Sequence, residues 1–188
     1  ISCIILLMVL SSCGNFSSRK SNDSTTADSL SVEKPFTAAD IYQNSIDKIA
    51  LILSYKDDMP FSQGTAFFIS PTTAITNYHV IAGGESIGLK FSNNEDIIRK
   101  AKVVRASEQY DLAIIETQKE FPYFEIDSLG TEIIGSKIYT IGNPRGLEGT
   151  ISDGIISGRR ENDGVEYIQV LRHLQVVILR RLPHQGNG

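Results

Sequence analysis

The chain has 188 residues, 41% of them hydrophobic, enough to bury one sizeable core, and its 18 basic against 22 acidic side chains leave a formal net charge of −4. That balance excludes the electrostatic footprint of a nucleic-acid binder; the local basic run Lys100, Lys102 and Arg105 reads as a solvated strand edge. The two cysteines both lie near the amino terminus, so there is no disulfide framework, and with no residues at metal-ligand spacing neither a metal nor a cofactor is expected.

Ile4 to Leu10 is an uninterrupted apolar run. It is too short to span a bilayer, which takes about 20 residues, but it has the length of a signal-peptide core. Leu10-Ser11-Ser12-Cys13 resembles the lipobox of bacterial lipoproteins. The resemblance implies a lipoprotein-type signal peptide over residues 1–12 and a lipidated Cys13 as the first residue of the mature chain. It places the protein in the bacterial cell envelope, periplasmic or at the surface, held to a membrane by its lipid. The competing readings are a secretory leader cut elsewhere and a small buried helix. No basic region precedes the apolar run, so the true start is expected upstream of Ile1. Residues 13–37, rich in Ser with scattered charges, are too polar to bury and read as a flexible tether.

The folded part is expected over 38–188. Thr37 and Asp40 have capping-box spacing ahead of Ile41, Tyr42 and Ile46, which predicts a short helix. Short β-branched runs then follow at 49–53, 65–69, 73–76, 86–91, 112–115, 138–141 and 150–156, separated by turns, several of them glycine-rich, so the class is all-β. His79 falls just after the strand ending at Thr76, and Asp111 opens the run Leu112 to Ile115. A His and an Asp at the ends of different strands can converge, which gives an imidazole the orienting carboxylate that a hydrolytic base needs. Taken alone, His79 is more often structural, and Asp111 an ordinary strand-edge carboxylate.

Several ordered stretches together resemble the trypsin-like serine endopeptidases, most closely the bacterial HtrA/Deg branch, over roughly residues 40–169. They are Gly64 to Ile69, Thr76-Asn77-Tyr78-His79-Val80, Ala101 to Val104 with Asp111-Leu112-Ala113-Ile114, Ile141-Gly142-Asn143-Pro144-Arg145-Gly146-Leu147, and Thr150 to Gly158. The resemblance implies a double β-barrel, the first barrel complete over 38–126 and the second partial over 129–188. It makes His79 the general base and Asp111 its orienting carboxylate, with proteins or peptides as substrates, misfolded envelope proteins among them. The Gly142 to Gly146 turn is scaffold on this reading. It lacks the Lys-Ser/Thr pair of a phosphate-binding loop.

The third member of the triad is missing: no Ser, Thr or Cys follows Ser157. After Tyr167-Ile168-Gln169 the family leads into Gly-Asn-Ser-Gly-Gly, whereas residues 170–184 of this chain match nothing in it. One reading is a frame slip. Gln175-Val176-Val177-Ile178-Leu179 can be encoded CAA GTG GTA ATT CTG, whose shifted frame contains Ser-Gly-Asn-Ser, and the nucleophile's codon would then straddle Ile178 and Leu179. Gln185 to Gly188 again looks like family sequence. The next shifted codon gives Ala or Glu where the family has Gly, so a further slip is needed there. The other reading takes Val176 to Leu179 as an ordinary strand, and the protein as a catalytically inactive, membrane-tethered pseudoprotease that binds proteins. His173 and His184 lie inside the mismatched segment and receive no role. Oligomeric state, substrate preference and any carboxy-terminal peptide-binding domain stay open.

Overall fold

Two aspartates make the first hairpin. Asp57 and Asp58 both take positive φ, 51° and 59°, the pair of left-handed residues that a tight two-residue hairpin turn requires. β1 (Ile49–Lys56) therefore folds straight back into β2 (Met59–Ser70), with Lys56 opposite Met59 and Ile49 opposite Phe67. The runs expected at 49–53 and 65–69 are the outer halves of this longer hairpin. The computed structural model describes residues 37–92, 94–126, 133–143, 149–162, 165–170 and 174–177. The expected leader, Cys13, the tether up to residue 36 and residues 178–188 lie outside the described residues, and Thr37, expected in the tether, caps the first helix.

β2 turns at Pro71 and Thr72 into β3 (Thr73–Thr76), after which a single helical turn, α2 (Tyr78–Ile81), crosses to β4 (Ser86–Phe91). β5 (Asn94–Ser107) and β6 (Leu112–Thr117) complete a closed antiparallel barrel in the order β1-β2-β3-β6-β5-β4. Closure follows from β1 pairing with both β2 and β4, which leaves the barrel without an edge. The two-residue period points Ala50 and Ile52, Ala66 and Phe68, and Ile87, Leu89 and Phe91 to the interior. Phe68, Phe91 and Phe121 fill the centre, with ring centroids 4.7–5.8 Å apart.

The second unit is a four-stranded antiparallel sheet, β7 (Lys137–Gly142), β8 (Thr150–Asn162), β9 (Val165–Val170) and β10 (Leu174–Val177), in sequential order. Its link to the barrel runs back along β2, with Phe121 N donating to the Pro71 carbonyl and Phe124 N to that of Phe68. A second apolar cluster forms the seam, where Ile49 and Phe67 from the barrel meet Phe124, Tyr139 and Ile141. β1 is thus buried on both faces, which is why its sequence reads as a continuous apolar run rather than an alternating one.

α1 (Ala38–Gln43) starts with the expected capping box. Thr37 Oγ1 accepts from the Asp40 amide at 3.2 Å, and the Asp40 carboxylate accepts from the Thr37 amide at 2.9 Å. Ile41 inserts into the seam cluster beside Tyr139 and Ile141, so this helix seats on the second unit although it leads into the first.

Candidate active site

His79 and Asp111 meet at one end of the barrel, each just past the end of one of two neighbouring strands. His79 sits on α2, the turn that leaves β3, and Asp111 closes the turn between β5 and β6; β3 and β6 are neighbours, paired from Thr73–Glu116 to Thr76–Ala113. His79 lies three positions and Asp111 two positions beyond that last pair, so the ladder itself brings them together. His79 Nδ1 lies 2.8 Å from Asp111 Oδ2. With Nδ1 facing a carboxylate, which only accepts, the imidazole carries its proton there and leaves Nε2 as the nitrogen free for chemistry. The His79 side chain is 47% exposed and that of Asp111 15%, so the acceptor is sheltered and the base is open to a reactant.

The Asp111 carboxylate accepts three hydrogen bonds. Oδ1 takes the His79 main-chain N–H at 2.8 Å, and Oδ2 takes both His79 Nδ1–H and the Asn77 amide, the latter at 3.1 Å. Asp111 is therefore hydrogen-bonded to the backbone of α2 as well as to its histidine. Its own backbone has φ 49°, the left-handed region that Asp tolerates better than most residues. Sequence reasoning places Asp111 at the start of a strand and does not anticipate this conformation.

Behind the pair, close packing fixes α2. Gly64 on β2 lies so near Val80 that a Cβ there would come within 2.5 Å of a Val80 methyl carbon. The fully buried Thr76 donates its hydroxyl to the Thr65 carbonyl at 2.8 Å. Thr65 Oγ1 in turn accepts from the Asn143 amide at 2.8 Å, and Asn143 Oδ1 accepts from the Gly149 amide at 2.8 Å. Gly142-Asn143, read from sequence as part of a scaffold turn, thus ties the second unit to β2, at the same Thr65 whose carbonyl holds Thr76 at the end of β3. Residues 144–148, Arg145 included, lie outside the described residues.

Asn77, Thr65 and Asn143 are the site-supporting residues that sequence reasoning passed over as individuals, although each falls inside a quoted motif. Ser157, the last serine in the chain, donates to the Gln169 carbonyl at 2.9 Å on the second sheet. Among the described residues, no group of three or more His, Cys, Asp or Glu side chains could hold a metal ion. The arrangement can accept and return one proton at Nε2.

Comparison with known proteins agrees with this geometry. Residues 64–176 match the model of the trypsin-like peptidase domain. A probable periplasmic serine endoprotease, DegP-like, of Rickettsia prowazekii is 36% identical over 107 residues, 55% of this chain and 20% of that protein. One of the same description from Bartonella henselae is 31% identical over 118 residues, 59% of this chain and 23% of that protein. The chain thus spans about a fifth of the length of the curated relatives it matches. In the fold, a serine endoprotease from Yersinia pestis superimposes with a TM-score of 0.60 at 23% identity, over 77% of this chain and 57% of that one. An HtrA-type protease solved with a tripeptide superimposes with a TM-score of 0.61 at 26% identity, over 71% of this chain and 46% of the other. A closed barrel carrying a paired His and Asp at one end, joined to a second antiparallel sheet, in a sequence that matches the domain model over residues 64–176, means that the chain, similar to proteins of the HtrA/DegP branch, belongs to the trypsin-like peptidase family.

Proposed function

We propose that this chain carries the general-base half of a serine endopeptidase of the bacterial envelope. His79 takes the proton of a serine hydroxyl as the oxygen attacks a scissile peptide carbonyl. It returns that proton to the leaving amine, while Asp111 keeps the imidazole oriented and stabilises its protonated form. The single observation that carries the proposal is the 2.8 Å contact of His79 Nδ1 with Asp111 Oδ2, which leaves the half-exposed ring with Nε2 as its reactive nitrogen. The substrates are proteins or peptides, with misfolded envelope proteins the natural class for an enzyme whose relatives are named periplasmic endoproteases. Cys13, lipidated, anchors the domain, and residues 13–37 tether it.

The nucleophile comes from the segment 170–184, restored to the frame in which its codons spell Ser-Gly-Asn-Ser. As written, the chain lacks that serine and does not turn over. One observation favours the second reading, a pseudoprotease that binds proteins: the residues as written form β10, four of them pairing in register with β9 from Leu174–Val170 to Val177–Tyr167. Resequencing the gene across residues 165–188 and onward to its stop separates the two. An uninterrupted Gly-Asn-Ser-Gly-Gly supports the enzyme, with Ser to Ala as the control in a peptide-cleavage assay. Confirmation of residues 170–188 as written ends the frame-slip reading and leaves the binding protein.

A further inference from the structure

Asn77 occupies the N-cap of α2, where an Asn side chain ordinarily lends its oxygen to an N–H of the first turn. Here that bond is absent. The N–H of His79 in that turn is satisfied instead by Asp111 Oδ1, at 2.8 Å. The Asn77 side chain reaches Asp111 instead. Its Nδ2 donates to Asp111 Oδ2 at 3.1 Å and to the Asp111 main-chain carbonyl at 3.2 Å. Both partners are acceptors with no hydrogen to give, so the chemistry itself fixes which end of the amide faces them. One NH2 group thus spans the carboxylate and the backbone of the same residue, and that residue stands at φ 49°, in the left-handed region where a side chain strains the backbone. Asn77 is 5% exposed, which shields these bonds from competing water.

We propose that Asn77 is the positioning residue of the His79–Asp111 pair. It holds Asp111 in its left-handed conformation and fixes the carboxylate so that Oδ2 meets Nδ1, and through Asp111 it sets the tautomer of His79. The role rests on the function proposed above for the pair, but it is read out without turnover.

The test is NMR of the 15N-histidine-labelled chain, with His79→Gln identifying the His79 signals among the three histidines. In the unsubstituted chain His79 is expected as the Nδ1–H tautomer with a hydrogen-bonded, low-field ring proton. In Asn77→Ala that proton signal is lost and the Nδ1–H form falls from dominant to minor, while circular dichroism stays that of the folded chain. Asn77→Asp keeps the shape but replaces the donor with an acceptor facing Asp111, and gives the same loss. A folded variant of either kind that keeps the tautomer and the low-field proton overturns the proposal. So does failure of both to fold, since Asn77 would then be a general structural residue. Because the spectrum needs no nucleophile, a gene that proves to lack the serine would end the peptidase reading and leave this result interpretable.

Discussion

Gly64→Ala tests whether packing behind α2 places His79. The added methyl would stand 2.5 Å and 3.0 Å from the two γ-carbons of Val80, well inside van der Waals contact. Gly64 does not occupy the left-handed region, so the effect is steric rather than a matter of backbone preference. Val80 is 3% exposed and cannot swing into solvent. Either it leaves its rotamer, at about 0.5–1.5 kcal/mol, or α2 moves outward by about an ångström. The second response carries His79 with it, and a 2.8 Å hydrogen bond lengthened by that much is no longer one. Overpacking of this kind costs about 1–3 kcal/mol, or a few to about 10 °C in Tm for a domain of this size. Val80→Ala alone costs about 1.5–3 kcal/mol by the cavity it opens. In the double variant the new methyl enters the space vacated by Val80, so the combined loss falls short of the sum by about 1 kcal/mol or more. Urea unfolding of the four proteins, followed by circular dichroism, reads the cycle. Additive losses, or a Gly64→Ala chain as stable as its parent, would refute the reasoning.

Two further outcomes follow from the same structure, and a third from the anchor proposed at Cys13. Asn143→Ala removes the acceptor of the Gly149 amide in a side chain that is 5% exposed; about 1–2 kcal/mol of stability should be lost in urea titration, and no loss would mean that the turn is held by other contacts. Phe68→Ala empties the centre of the barrel's aromatic trio and should cost about 3–5 kcal/mol, so a midpoint shift equivalent to less than half of that would show the barrel collapsing around the cavity. Cys13→Ser should abolish the acyl mass increment and the partition of the expressed protein into detergent, and partition unchanged by the substitution would rule out Cys13 as the anchor.

The pairing of His79 with Asp111 was legible through the resemblance to the trypsin-like family; the residues alone put each beside a short strand, Thr73 to Thr76 and Leu112 to Ile115, and the adjacency of those strands is what the structure adds. The capping box at Thr37 and Asp40 was legible for a similar reason, since two residue types at fixed spacing carry the whole signal. Less could be read where the backbone departs from the common regions. Asp57 and Asp58 form a hairpin turn without the glycine that usually marks one, and Pro60 just beyond them reads as a strand breaker, so residues 54–64 did not announce themselves as the hairpin's inner half. Asn77 reads as a turn or cap residue whichever way its amide points. Its actual partner lies 34 positions away, and nothing local distinguishes the two orientations. The tie from Thr65 to Asn143 spans 78 positions and is equally silent in the sequence.

The seat of α1 has a mechanical consequence. Its Ile41 is lodged beside Tyr139 and Ile141, while the chain it opens runs on into β1 of the barrel. A pull applied ahead of Thr37 is therefore delivered to the seam, and the first links to bear tension are the Thr37–Asp40 box and the burial of one isoleucine. Those are weak in shear compared with the closed ring of strands behind them. Under traction the molecule should yield in steps, shedding its leading helix from the junction before any strand of the barrel parts, and His79 with Asp111 would ride through the first step undisturbed.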